Sequence, residues 1–197
     1  IWQESGGIVS TDQAVALSFL PLGVEVDSDN DGIADAIDTP AWEAVSIEAT
    51  FQANCSCAGF DNGGTCDFIG LVGRWQDGSN HIKALLYQNN EGCQFRIQRA
   101  SSTLGNEVIG RSAFIGVPIR NASAPTPLNA DGTPEFPEIP AIDDGQPHTL
   151  RLSMEDSVIR LWLDDRMIAA ALDDTYSEGG AALMVRNQET TWQNISV

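Results

Sequence analysis

The sequence predicts an all-β protein, a sandwich of two antiparallel sheets, on three observations. Apolar residues recur at every second position over several short runs, which is the period of a half-buried strand. No stretch carries a 3.6-residue apolar period over a helix length. Clusters of Gly, Asn, Asp and Pro separate the runs at short, regular spacing. A chain of 197 residues can bury one substantial core, and sandwiches of this size are usually one domain, so 1–197 is read as a single β-sandwich domain.

The opening segment reads as two short strands around Gly6-Gly7, then an apolar alternation Val15, Leu17, Phe19 that Pro21 stops. Residues 21–40 are too long to stay structureless inside a compact domain, so an ordering device is expected there. From Trp42 the chain alternates cleanly. Val45, Ile47, Ala49, Phe51 and Ala53 share one face, and Ser46, Glu48, Thr50 and Gln52 share the other. Strands are expected over Phe68–Trp75, Ile82–Tyr87 and Cys93–Arg99, separated by the turn clusters QDGSN and NNEG. Prolines recur too often between Pro118 and Pro147 for a helix or a central strand, so 118–147 is a surface excursion. Beyond it Leu150, Leu152 and Met154 alternate inward. After a turn at EDS, Ile159, Leu161 and Leu163 do the same before a tight turn at Asp164-Asp165. Gly179-Gly180 introduces Ala181–Arg186, and Trp192–Val197 closes as a last strand.

The ordering device is DSDNDGIADAID, Asp27 to Asp38. Asp27, Asp29, Asp31, Asp35 and Asp38 alternate, Gly32 permits a sharp turn, and the carbonyl of Ile33 completes an oxygen set suited to a hard divalent cation. Calcium is the expected ion, because so many carboxylates in so short a loop repel one another without a counterion. The stretch resembles the thrombospondin type 3 repeat, whose D-x-D-x-D-G-x-x-D-x-x-D pattern it matches at every defined position, and more loosely the EF-hand and dockerin loops. It ends in Asp38 where the EF-hand has a bidentate Glu, and it stands alone where the thrombospondin family has an array.

Ten Lys and Arg against 28 Asp and Glu give a net charge of −18, which opposes nucleic acid and anionic membrane surfaces as partners. No apolar run is long enough to span a bilayer. The chain begins without a methionine, and Ile1 is read as a mature end left by processing of an exported precursor. Cys55, Cys57, Cys66 and Cys93 lack the paired C-x2-C knuckles of zinc sites, so disulfides are expected. One of Cys55 and Cys57 closes the short loop to Cys66 and the other crosses to Cys93, with Cys57 to Cys66 the preferred pairing. With the calcium loop, these point to an extracellular or cell-surface setting.

DGQPHTLRLSMEDSVIRLWLDDRMIAAALDD, followed by YSEGGAALMVRN and a closing strand, is similar to the later half of laminin-G and concanavalin A-like lectin/glucanase domains. Asp144, Gly145, His148, Leu150, Leu152 and Leu161 to Asp164 carry the likeness. The resemblance implies a jelly-roll sandwich, in a family where glycan binding, adhesion and hydrolysis all occur, so the fold does not choose among them.

A retaining glucanase on this fold needs two carboxylates about 5 Å apart, commonly written E-x-D-x-x-E on one strand. No such run exists, and Glu43 and Glu48 lie at odd separation on the Trp42 strand, so no enzyme activity is expected. His148 is placed by the resemblance at a strand start, in a structural hydrogen bond. Trp75, Trp162 and Tyr176 are candidate glycan platforms, with Trp162 facing outward between Leu161 and Leu163; packing under the 118–147 excursion is the competing role. Sequons for N-glycosylation occur at Asn54, Asn121 and Asn194. The expectation is a non-catalytic, calcium-stabilised extracellular structural or adhesive protein that assembles with copies of itself into a filament or surface layer. A lectin-like module that binds surface glycans is the alternative, and a glycoside hydrolase the third.

Overall fold

A computed structural model describes residues 2–5, 8–11, 18–22, 24–26, 36–38, 41–53, 69–89, 92–115, 139, 142, 145–185 and 190–197. In chain order their strands are β1 (Trp2–Ser5), β2 (Ile8–Thr11), β3 (Ser18–Leu22), β4 (Val24–Val26), β5 (Ala36–Asp38), β6 (Val45–Ala53), β7 (Ile69–Asp77) and β8 (Asn80–Asn89). They continue as β9 (Gly92–Ser101), β10 (Gly105–Phe114), β11 (His148–Glu155), β12 (Val158–Leu163), β13 (Arg166–Leu172), β14 (Gly180–Val185) and β15 (Thr190–Ser196). One sheet runs β1-β2-β15-β6-β11-β12-β13, the other β10-β9-β8-β7-β14-β3, and β4 pairs β5 apart from both. The architecture is the all-β, two-sheet antiparallel jelly-roll sandwich. No helix among the described residues is long and apolar enough to cross a membrane.

The alternation read from the sequence sets the core. Val45, Ile47, Ala49 and Phe51 of β6, Leu150, Leu152 and Met154 of β11, and Ile159, Leu161 and Leu163 of β12 are all buried. They meet Ile69 and Leu71 of β7, Leu86 of β8, Phe95 and Ile97 of β9, and Leu183 and Val185 of β14. Each large aliphatic side chain withdrawn in this way contributes about 1.5–3 kcal/mol relative to exposure. The turn between β12 and β13 has positive φ at both Asp164 (47°) and Asp165 (63°), the mirror-image two-residue turn whose twist suits a hairpin.

Three expectations need correction. Pro21 does not stop the third strand: it lies within β3, opposite Ala182. β3 ends its sheet, and a proline on such an edge forfeits no ladder bond. Within 21–40, Val24 to Val26 pairs with Asp38 to Ala36 and brackets the acidic run. Glu43 precedes β6 instead of lying on it. β10 and β13 had no counterpart in the strand reading. Their runs, GNEVIGRSAF and RMIAAAL, break the period of two, and each carries an irregular register, at Val108/Gly110 in β10 and where β13 meets Leu161/Trp162. Gly110 is needed where these two edges meet, since a Cβ there would lie 2.7 Å from the carbonyl oxygen of Ala170.

Candidate functional site: a polar cleft at one end of the sandwich

Arg74 begins the construction. It sits in β7 with φ of 48°, and the register against β8 passes from Gly73↔Ile82 to Asp77↔Asn80, so the strand bulges there. The bulge turns the Arg74 side chain into the end of the sandwich, where only 1% of it is exposed. Its guanidinium donates to the backbone carbonyls of Asp173 (3.4 Å), Glu43 (3.5 Å) and Asp156. Three segments that are remote in sequence are thereby gathered around one cation. Burial pushes the Arg74 pKa below its ordinary value, and the carboxylates of Asp173 and Asp156 oppose that shift. Gly179 completes the contact: a Cβ there would lie 2.4 Å from the carbonyl carbon of Arg74.

The loop so anchored, 173–179, forms one wall. Asp173 accepts from Arg99 Nη1 (3.0 Å) through Oδ2 and from the Thr175 amide (2.9 Å) through Oδ1, and Arg99 also donates to Thr175 Oγ1 (2.8 Å) and to Glu107. Tyr176 packs against the core, and its hydroxyl donates to the Ala100 carbonyl at 2.6 Å. The facing wall is the turn between β7 and β8. Asp77 Oδ1 accepts from the amides of Ser79 (2.6 Å) and Asn80 (2.9 Å), and Asp77 Oδ2 accepts from Asn80 Nδ2 (2.8 Å). These bonds, the Asn80 side chain's foremost, hold the Asp77 carboxyl below the usual carboxylate range. Asn80 Oδ1 accepts from the amide and hydroxyl of Ser102, which ties in the turn between β9 and β10.

Between the walls lies a cleft of about 420 Å³ lined by Gln76, Asn80, Thr175, Tyr176, Ser177 and Glu178. The size suits a small polar ligand. One aromatic ring, two amides, two hydroxyls and a single carboxylate line it. Asp77 beside it accepts three hydrogen bonds from its own turn.

Of the three aromatic candidates, the structure places only Tyr176 in this cleft. Trp75 packs on the outer face of the six-stranded sheet with Val72, Leu85, Ala182 and Met184, brought to that face by the Arg74 bulge. Trp162 lies on the outer face of the seven-stranded sheet, opposite Arg151 on β11, whose guanidinium carbon stands 4.4 Å from the ring centroid. That ring face is taken by a cation. Gln76, Asn80, Thr175, Ser177 and Glu178 were not singled out from the sequence. Their signal was two polar turn clusters, QDGSN and DDTYSEGG, whose meeting depends on the Arg74 bulge.

Asp27, Asp29, Asp31, Ile33 and Asp35 lie outside the described residues, and Asp38 is described only as β5 backbone. Among the described residues no group of three or more His, Cys, Asp or Glu could hold a metal ion. Cys55, Cys57 and Cys66 also lie outside; Cys93 is buried and disulfide-bonded. Asn54 and Asn121 lie outside as well, while Asn194 is exposed, with φ of 52°. At the far end of the sandwich, His148 opens β11 and bonds through Nδ1 to Asp164 Oδ2 at 2.8 Å.

No protein-family profile matches the chain, and no curated protein matches it. Solved structures do. The carbohydrate binding module CBM66 from Bacillus subtilis superposes with a TM-score of 0.57 at 16% identity, over 99% of this chain and 89% of that one. A GH16 protein of the mixed linkage glucan PUL of Bacteroides ovatus, in complex with a G4G4G3G product, superposes with a TM-score of 0.51 at 9% identity, over 99% and 84%. At these identities the likeness shows the fold, the concanavalin A-like sandwich.

Proposed function

We propose that this chain is a non-catalytic, extracellular carbohydrate-binding module and that the end cleft is its sugar site. The observation that carries the reading is the cleft lining, in which hydroxyl and amide groups surround the Tyr176 ring with Glu178 as the one carboxylate. Sugars are recognised by this combination of an aromatic body and planar polar groups. One unpaired carboxylate does not supply the acid and base that glycoside hydrolysis requires. The fold shared with the Bacillus subtilis carbohydrate binding module makes glycans the first class to test. Affinity electrophoresis through gels cast with different polysaccharides is the test. Retardation without release of reducing ends is expected, and Gln76→Ala with Glu178→Ala should abolish it. Unretarded migration in every gel overturns the reading, and release of reducing ends replaces it with a hydrolase.

Calcium belongs to the same proposal. The pairing of β4 with β5 closes the ends of the run Asp27 to Asp35, which favours a loop wrapped on one ion, held by Asp27, Asp29, Asp31, Ile33, Asp35 and Asp38 at about 2.3–2.6 Å. Calorimetry should give binding at or below millimolar calcium that Asp31→Ala removes; no heat at that concentration defeats it. Self-assembly is the second reading, favoured by β1, a four-residue strand at the edge of the seven-stranded sheet that could accept a neighbour's strand. Its force is reduced because β15 pairs with β2 inside one chain, so both terminal segments are already tied.

A further inference from the structure

We infer that the cleft selects saccharides that carry no negative charge and favours an amino sugar over its neutral counterpart; this rests on the carbohydrate reading of the same site. The polar groups that the protein leaves for a ligand decide this. The Tyr176 hydroxyl proton goes to Ala100, the Asn80 amide nitrogen to Asp77, and Asn80 Oδ1 is filled by Ser102. Gln76 Nε2 donates to the Glu178 carbonyl, which fixes the amide so that Oε1 is the atom left over. Thr175 Oγ1 already accepts from Arg99.

What remains includes donors, in the second amide hydrogens of Gln76 and Asn80 and the hydroxyls of Thr175 and Ser177, but its one formal charge, on Glu178, is negative. Among the described residues nothing donates to the Glu178 carboxylate or to Gln76 Oε1, and the hydroxyl of Ser177 is uncommitted. Arg99, the cation bonded to Thr175 of the lining, is spent on Asp173, Thr175 and Glu107. Sugar hydroxyls meet such donors and acceptors alike, a protonated amine adds a charge that Glu178 complements, and a uronate or sulfate adds negative charge to a chain of net charge −18.

Matched neutral, 2-amino and 6-carboxylate oligosaccharides, of several linkages and equal length, distinguish the outcomes by isothermal titration at low and physiological salt. The amino form should bind about two- to five-fold tighter than the neutral form at low salt, as an exposed ion pair allows. That preference should shrink with salt, and the carboxylate form should bind more weakly than either. Glu178→Gln, an isosteric change on an exposed side chain, should erase the preference, so that the amino and neutral forms bind this variant equally at both salt concentrations. Saccharide binding with no charge preference, or a preference that survives Glu178→Gln, overturns this inference and leaves the carbohydrate reading standing. Binding of no saccharide in the set overturns both.

Discussion

At the cleft end of the sandwich a buried guanidinium gathers three backbone carbonyls, whereas at the opposite end a half-exposed carboxylate, Asp164, holds one imidazole and one backbone amide. The ends differ in what each must hold. At the far end the β12–β13 turn closes by itself, because two residues at positive φ suffice for a hairpin, and Asp164 only adds a link to β11. At the cleft end the segments around Glu43, Asp156 and Asp173 approach from separate strands, and no local turn could bring them together. A non-local tie is needed there, and it is made by a side chain that is almost wholly buried. Its removal therefore leaves the buried Asp173 carbonyl without the Arg74 donor, while removal of Asp164 leaves a Thr149 amide that solvent can satisfy.

The largest effect is expected from Arg74→Met, which keeps an unbranched apolar stem and removes the donors. Losing a buried cation that serves three carbonyls should cost about 3–4 kcal/mol. The measurement is urea denaturation at neutral pH with linear extrapolation. Sugar binding should weaken in the folded variant as well, since loop 173–179 loses its anchor. A loss under about 1 kcal/mol would mean that the carbonyls re-pair freely and that the contrast between the two ends is false.

His81 offers a second way to sharpen the contrast, because it adds a pH dependence to the cleft end. It is 1% exposed, with Nδ1 at 3.1 Å from the Asp77 carbonyl. Desolvation, the leading cause, lowers its pKa to about 4. The unfolded chain takes up this proton near pH 6.5 and the folded chain near 4, so between those values the unfolded state binds more protons. Stability contributed here is present above pH 6.5 and falls as pH drops towards 4, by about 3 kcal/mol in all. Asp77 acts in the same direction, through its own titration, at lower pH. His81→Gln should flatten the stability profile between pH 6.5 and 4 without removing the later fall; an unchanged slope in that window would show that other groups cause it.

The sandwich was legible because its inward faces obey a period of two: Ile47, Phe51, Leu152 and Leu161 are buried where the alternation puts them. The strand pair β11–β12 and the Asp164-Asp165 turn were legible for the same reason, since a turn residue and two alternating runs are local signals. β10 and β13 were not, because bulges at Val108/Gly110 and opposite Leu161/Trp162 shift the alternation by one residue. The cleft was hardest to see. Tyr176 could be picked out as an aromatic beside polar residues, but its partners Gln76 and Asn80 lie about a hundred positions away and reach it only because Arg74 takes a left-handed conformation inside a strand. That conformation is uncommon for a residue with a side chain. Its enabling residue, Gly179, reads in the sequence only as half of a turn.

The smallest effect is expected at the far end, from Asp164→Asn. The substitution keeps the Oδ1 acceptor for the Thr149 amide, now 2.9 Å away, and keeps a residue type that tolerates the left-handed φ of 47°. It removes only the charge opposite His148 Nδ1. Asp164 is 45% exposed, so water screens the pair and competes for both partners. A loss of about 0.5–1 kcal/mol is expected by urea denaturation at pH 7, with sugar affinity unchanged because the cleft lies at the other end. Asp164→Ala should cost more, about 1–2 kcal/mol, since it also hands the Thr149 amide to solvent and places alanine at positive φ. Should Asp164→Asn cost as much as Arg74→Met, the far end would be as strictly held as the cleft end, and burial of the tie would not be what separates them.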